Sequence, residues 1–128
     1  MKRFTYAWLV CRAVAELLLF DITHRACGFQ GTLRLLARSP APAPRAPVAE
    51  RTVCDAVLLA TCLYWKPVRC LQRSHCTVRL LRSHGIMARL VIGYRATPFF
   101  SHAWVEADGR VVNDSPVYRQ RLQILHIV

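Results

Sequence analysis

His102 and Asp114 stand near the two ends of a segment that is typical of a β-hairpin. The segment SHAWVEADGRVVNDSP has two apolar-rich runs around Asp108-Gly109, a dipeptide that favours a tight turn. A hairpin that only filled a core would not need an imidazole and a carboxylate twelve residues apart. Because an aspartate can hold a histidine in the orientation that general-base catalysis requires, the two residues are candidates for acid–base chemistry.

Two hairpin registers fit the segment, and they place His102 and Asp114 differently. A two-residue turn at Asp108-Gly109 sends the two side chains to opposite faces of the hairpin. A three-residue loop of residues 107–109, with a left-handed glycine in the bulge position, sets His102 directly opposite Asp114. Directly opposite side chains have Cβ atoms about 5 Å apart, close enough for the carboxylate to orient the imidazole.

Two cross-strand pairs favour the three-residue loop, so we predict that register. It sets Glu106 opposite Arg110, as a solvated charge pair worth well under about 1 kcal/mol. It also sets Trp104 opposite Val112, with Trp104 packed in the core near the histidine. Asp-Gly is equally suited to a two-residue turn on propensity alone.

A histidine oriented by an aspartate needs a nucleophile, and Cys70 has the best position for that role. It follows Pro67 at the start of a predicted helix, where free N–H groups and the helix dipole lower the pKa of a thiol. Arg69 and Arg73 add positive potential. The same N–H groups could stabilise an oxyanion during acyl transfer. The other cysteines lie in the N-terminal segment, at predicted core positions or inside that helix: Cys11, Cys27, Cys54, Cys62 and Cys76.

The cysteine spacing indicates neither a disulfide framework nor a zinc site. The spacing of the six cysteines is not that of a small secreted disulfide-rich protein, and no C-x-x-C pair occurs. We therefore expect a protein of the reducing cytoplasm, without a bound metal. The N-terminal run MKRFTYAWLVCRAVAELLLF is interrupted by Arg12 and Glu16, has no cleavage site, and is too polar for a membrane span. We expect this run to form an amphipathic helix that packs on the domain, on a partner or peripherally on a membrane face.

The elements predicted along the chain indicate an α+β domain with an antiparallel sheet. Pro-rich residues 39–47 cannot be helical and divide the chain into a helical N-terminal arm (1–38), a linker (39–47) and a core (48–128). Helices precede strands that are adjacent in sequence, which is typical of the α+β class. The predicted helices comprise residues 4–20, residues 23–37, a helix of about four turns that begins near residue 53, and a helix from Cys70 to Gly85. The predicted strands comprise residues 88–96, the two strands of the hairpin, and residues 121–128.

The composition is strongly basic. Lys and Arg number 18 against seven acidic residues, for a net charge of +11, and 54% of the 128 residues are hydrophobic. Such a charge favours a polyanionic partner, an acidic peptide or an anionic membrane surface. The arginines are scattered, however, and this equally fits a biased base composition of the gene. A basic nucleic-acid-binding module is therefore an alternative function, although no nucleic-acid motif is present and we expect no such partner.

Residues 70–114 resemble the leader peptidases of lasso-peptide biosynthesis, which are cysteine peptidases with a transglutaminase-like, papain-related fold. The resemblance is carried by a Cys-Leu-x-Arg-Ser helix start, a Leu-Leu-x-x-x-Gly-Ile helix end, a strand ending in glycine, His-Ala-Trp-Val-Glu and a later aspartate. All of these stand here in order. The sequence departs from the pattern at Gln72, which is often proline, and at Ser74-His75-Cys76, which is commonly Ser-Leu-Ala.

The resemblance implies a role for each residue of the predicted site. Cys70 would be the nucleophile, His102 the general base and Asp114 the residue that orients the histidine. Independently of the resemblance, we consider Leu71, Arg73, Ser74 and Trp104 as candidates for substrate binding or oxyanion support. Arg73 and Ser74 could equally fix the start of the helix, and Trp104 fits the core.

The resemblance also implies a reaction and partners. Such an enzyme removes the leader from a ribosomally made precursor peptide through a thioester acyl-enzyme, without a cofactor. A separate ATP-dependent cyclase then forms the macrolactam. A chain of this length has no room for a leader-recognition domain, so we expect the split form, which works with a small leader-binding protein. A transglutaminase-type acyl transferase, with an amine in place of water, is the alternative on the same fold.

Overall fold

The structure is a computed structural model that describes residues 2–38 and 49–128. Its helices and antiparallel strands confirm the predicted α+β class. The predicted linker, residues 39–47, lies outside the described residues, and the division into arm, linker and core stays a prediction. The elements are α1 (Lys2–Ala37), α2 (Glu50–Leu63), α3 (Cys70–Ser83), β1 (Ala88–Arg95), β2 (Phe100–Ala107), β3 (Arg110–Val111), α4 (Val117–Arg121) and β4 (Gln123–Ile127).

Helix α1 is interrupted at Gly28, so two N-terminal helices are present as expected, but the predicted boundary at residues 21–22 is wrong. Gly28 has φ 70° and ψ −168°, a conformation that disfavours any residue with a Cβ atom. Along α3, the first part of α1 runs antiparallel and the second part runs parallel, so the break reverses the chain. The hydrogen bonds that show this are Gln72 Nε2 to Leu17 O (2.9 Å), Cys76 Sγ to Ala13 O (3.5 Å), His75 Nε2 to Thr32 O (2.9 Å) and Arg82 Nη1 to Leu36 O (2.7 Å).

One hydrophobic core joins α1, α2 and α3 to a face of the sheet. Aliphatic side chains from both parts of α1 are buried in it, so this segment packs as part of the domain. No helix in the described part of the chain is long and apolar enough to cross a membrane. The completely buried aliphatic residues include Leu9, Leu17, Leu36, Val53, Leu80, Leu81, Leu90 and Val105.

The sheet has the strand order β3-β2-β1-β4, and its hairpin does not have the predicted register. Ala107 pairs with Arg110, so the loop is the two-residue turn and our prediction of a three-residue loop is wrong. Asp108 (φ 53°) and Gly109 (φ 75°) are both left-handed, as in the turn whose twist matches that of the flanking strands. The preferred twist of the two strands thus outweighs the two cross-strand side-chain pairs that favoured a three-residue loop with a bulge.

The predicted charge pair between Glu106 and Arg110 is also absent. Arg110 instead donates to both carboxylate oxygens of Glu50 on α2, at 2.7 and 3.1 Å. Glu106 is buried, where it accepts a hydrogen bond from Trp104 Nε1 at 2.8 Å and pairs with Arg119 of α4. The solvated pair predicted for the hairpin is therefore replaced by two ion pairs to other elements.

Trp104 is completely buried, as predicted, but it does not face Val112. Its ring packs over Gly93, the residue of β1 that pairs with His102. A Cβ atom at Gly93 would lie 2.6 and 2.9 Å from two carbons of the indole ring and 3.0 Å from Leu122. A glycine is therefore required at position 93, because the backbone of β1 packs closely against the indole ring of Trp104, next to the strand position of His102.

We predict that Gly93→Ala lowers the free energy of unfolding by about 1–3 kcal/mol, because the added methyl group overpacks the contact with Trp104. Urea unfolding followed by tryptophan fluorescence measures the effect. Gly109→Asn is the matched control, since nothing lies within 4 Å of that Cβ position and asparagine tolerates the left-handed region. Equal stability of Gly93→Ala and the wild type would contradict this packing argument.

Candidate active site

Cys70 and His102 line the same cavity, whose volume is about 360 Å³. The cavity lies where the start of α3 meets β1, β2 and β4, and the second part of α1 also reaches it. Apart from the thiol, the imidazole and two hydroxyl groups, its lining is hydrocarbon. The other lining residues are Phe29, Leu71, Ile92, Tyr94, Phe99, Ser101, Ala103 and Leu125.

Cys70 is the first residue of α3, as predicted. Arg69 before it has extended backbone angles, and its carbonyl accepts the first helical hydrogen bond, from Arg73 N at 3.0 Å. The N–H groups of residues 70–72 therefore have no partner within the helix. With the positive end of the helix dipole, they favour negative charge on the half-buried sulfur or on an oxygen bound beside it.

His102 and Asp114 are hydrogen-bonded despite the unpredicted register. His102 Nε2 donates to Asp114 Oδ2 at 2.7 Å. The same oxygen accepts a hydrogen bond from Arg73 Nη2 at 3.1 Å, while Oδ1 accepts one from Ser115 N at 2.8 Å. With Nε2 engaged in this way, Nδ1 is the nitrogen that could exchange a proton with a thiol.

Asn113 explains how Asp114 reaches the histidine. The ladder between β2 and the returning chain continues only to Val112, whose N–H donates to Val105 O at 3.0 Å. The N–H of Val105 then donates to the side-chain oxygen of Asn113, at 2.8 Å, in place of a backbone carbonyl. After Asn113, side chains no longer alternate between the two faces of the sheet. The chain bends, and this bend brings the carboxylate of Asp114 to His102.

Asn113 also links this bend to helix α3 through hydrogen bonds. Its Nδ2 donates to Ser74 Oγ at 3.2 Å, and Ser74 Oγ donates to Ala103 O on β2, also at 3.2 Å. Together with the bond between Arg73 and Asp114, these contacts join the helix of the cysteine to the strand of the histidine. Sequence reasoning missed Asn113, although asparagine is a residue whose amide can substitute for a peptide group.

Tyr118 of α4 is a second residue that sequence reasoning missed. Its ring lies 4.1 Å from that of His102, centroid to centroid, with an angle of 35° between the planes. Helix α4 is held in place by the ion pair between Arg119 and the buried Glu106. The phenol therefore limits the rotation of the imidazole, but a tyrosine in a predicted loop gives no sequence signal for this contact.

The four residues predicted to support the substrate lie in different environments. Leu71 lines the cavity. Arg73 contacts Asp114, and Ser74 is buried between β2 and Asn113. Trp104 packs in the smaller core with Val91 and Leu122. The neighbouring His75 is buried against Thr32, away from the cavity, and burial lowers the pKa of its imidazole.

The remaining cysteines are not in the cavity. All six are free thiols. Burial raises the pKa of Cys76, and burial together with the charges of Glu50 and Asp55 raises the pKa of Cys54 to about 11. Within residues 2–38 and 49–128, no group of three or more His, Cys, Asp or Glu side chains could hold a metal ion.

Comparison with known proteins defines the class. A profile described as the transglutaminase-like superfamily matches residues 14–126. The chain therefore belongs to the transglutaminase-like superfamily, and the fold expected from residues 70–114 is confirmed. The chain is also similar to the microcin J25-processing protein McjB of Escherichia coli, with 48% identity over 56 residues. These are 44% of this chain but 27% of the length of that protein. No solved structure matches the chain significantly.

We predict that Cys70 is alkylated faster than the other five cysteines when the folded protein is treated with iodoacetamide at neutral pH. Its sulfur lies beside N–H groups that have no partner within the helix, whereas burial raises the pKa values of Cys54 and Cys76. Peptide mapping by mass spectrometry measures each rate. Cys62, which is exposed, is the internal control for accessibility. A rate at Cys70 no higher than that at Cys62 would show that the helix start does not activate the thiol.

Proposed function

We propose that the protein is a cysteine endopeptidase that removes the leader from a ribosomally made lasso-peptide precursor. The observation that carries the proposal is one cavity with a thiol at a helix start and an imidazole held by a carboxylate. Membership of the transglutaminase-like superfamily and the similarity to a microcin-processing protein support it. Both favour an enzyme over a basic nucleic-acid-binding module.

The proposed reaction begins with transfer of the thiol proton from Cys70 to His102. The thiolate attacks the scissile carbonyl, and the N–H groups at the start of α3 stabilise the resulting oxyanion. The C–N bond then breaks, and the imidazolium gives its proton to the leaving amine. The leader remains attached to Cys70 as a thioester, and the core peptide leaves with a free N-terminus.

Hydrolysis of the thioester completes the proposed cycle. His102 accepts a proton from water, the hydroxide attacks the thioester carbonyl, and the thiolate leaves with the imidazolium beside it. Asp114 stabilises each imidazolium and holds Nε2, so that Nδ1 exchanges the protons. Arg73 acts through the carboxylate of Asp114 and is therefore a positioning residue.

The proposal includes the partners that such processing needs. The substrate is the precursor, presented by a small leader-recognition protein, and the product passes to a macrolactam-forming cyclase. The apolar lining around Cys70 and His102 suits a peptide segment with hydrophobic side chains. A reducing cytoplasm, in which the thiols stay free, is the proposed setting.

A transglutaminase-type acyl transferase is the second candidate, and membership of the superfamily favours it specifically. The acyl-enzyme would be the same, but an amine would attack the thioester in place of water. Mass spectrometry of the leader product distinguishes the two reactions. A free carboxylate indicates hydrolysis, whereas an added amine indicates transfer.

We predict that Cys70→Ala lowers the cleavage rate at least about a thousandfold, because the nucleophile is lost. The assay combines the purified protein, a precursor peptide encoded beside it and the cognate leader-binding protein, with products followed by mass spectrometry. Cys62→Ala, at an exposed position of α2, is the control and should cleave like the wild type. Undiminished cleavage by Cys70→Ala would rule out the mechanism.

We predict that Arg73→Met lowers kcat about tenfold while KM changes little, because Asp114 and His102 lose a positioning contact rather than a substrate contact. Arg73→Lys should recover part of kcat, since an ammonium group can still pair with the carboxylate. Steady-state kinetics on the same precursor separate the two constants. A higher KM with unchanged kcat would instead place Arg73 in substrate binding.

A further inference from the structure

The outer side of α1 carries an apolar stripe that is exposed along its whole length. Its members follow one another at alternating intervals of four and three residues. Phe4, Trp8, Leu18 and Ile22 are 82%, 46%, 48% and 57% exposed, and Cys11 and Ala15 between them are exposed as well. We call these six residues the α1 seam. The opposite side of the same helix is buried in the core through Leu9, Ala13 and Leu17.

The spacing of the α1 seam is that of a helix that packs on another helix. Intervals of four and three residues repeat every seven, and such a heptad places a narrow apolar line against a partner helix. The small side chains of Cys11 and Ala15 lie in the middle, between larger ones, and leave room for large side chains of a partner. A helix bound at a membrane surface would instead use a broad apolar face with a polar face behind it, but the back of α1 is covered by the core.

The charges near the α1 seam favour an acidic partner over a second copy of this chain. Arg3 and Arg25 are exposed at its two ends, and neither forms an ion pair within the described residues. Both carboxylates of α1 are already engaged: Glu16 with Arg79 at 2.6 Å and Asp21 with Lys66 at 2.6 Å. A second α1 helix would therefore bring only further uncompensated positive charge to this surface.

The α1 seam leads toward the end of the domain that carries the cavity. At one end, the ring of Trp8 lies 6.3 Å from that of His84, which follows α3. At the other end, Asp21 is paired with Lys66, which precedes the start of α3 and Cys70. A helix bound along the α1 seam would thus lie on the outer side of α1, and one of its ends would be level with the start of α3.

We propose that the α1 seam binds one amphipathic helix of a partner protein, with apolar residues at heptad positions a and d and acidic residues beside them. The proposal concerns a docking surface and does not depend on the reaction at Cys70. Cys11 provides a reporter within the surface, because a bound helix would cover its thiol.

Binding of synthetic helices to the full chain tests the proposal. The first peptide has three heptads with leucine at a and d and glutamate at e and g; the second has lysine at e and g. We expect the glutamate peptide alone to bind and to slow alkylation of Cys11, but not that of the exposed Cys62 on α2. Leu18→Glu with Ile22→Glu should weaken binding at least about tenfold, because it places charge in an apolar contact.

Matched controls separate docking from loss of the fold. Leu59→Glu with Leu63→Glu changes two exposed leucines of α2 and should leave binding unaltered. Continued slow alkylation of the buried Cys76 shows that each variant is folded. The proposal is overturned if the glutamate peptide does not bind or if the lysine peptide binds equally well.

Two other occupants would also overturn the proposal. A dimer of the chain in sedimentation experiments, lost in Leu18→Glu with Ile22→Glu, would assign the α1 seam to a second copy. Protection of Cys11 by vesicles of equal parts phosphatidylcholine and phosphatidylglycerol, without protection by the glutamate peptide, would assign it to an anionic membrane surface.

Discussion

The hydrogen bonds that meet at Asp114 Oδ2 are the contact on which the rest of the site depends. One comes from His102 on β2, at 2.7 Å, and one from Arg73 on α3, at 3.1 Å. A single oxygen atom therefore fixes the strand of the imidazole relative to the helix whose first residue is Cys70. Because both bonds involve a charged group, they are stronger and more sensitive to geometry than a neutral pair. The helix start and the hairpin act as one rigid unit through this atom.

The asparagine before Asp114 makes that contact compatible with the turn. A two-residue turn with strict alternation would send the carboxylate to the wrong face of the hairpin. The structure instead ends the ladder early, with the amide of Asn113 in place of a peptide carbonyl. Cys70 at the helix start and the neighbouring strands could therefore be predicted from the residues, whereas the pairing of His102 with Asp114 was predicted through a register that is wrong, and only the family resemblance supports that prediction. The register could not, because a side chain that imitates the backbone leaves no periodic signal.

Helix α1 shows a second limit of sequence reasoning. Apolar residues occur on most of its faces, and periodicity could not tell which face is buried. In the structure, Leu9 and Leu17 fill the core, while Trp8 and Leu18 remain exposed beside them. The helix thus has two apolar sides, and only one of them stabilises the domain. The other side is the surface to which we propose that a partner helix binds.

Helix α4 covers the imidazole of His102, so the stability of this helix determines how often that side of the ring is exposed. It has five residues, none of them buried, and its described links to the rest of the domain include Arg119 with Glu106 and Tyr118 with His102. Segments with so little buried surface open locally at a small fraction of the global unfolding free energy. Each opening would leave the carboxylate of Glu106 without its cation and uncover one face of the imidazole. We therefore expect local opening around His102 to follow this short helix, while the strand that carries the histidine stays folded.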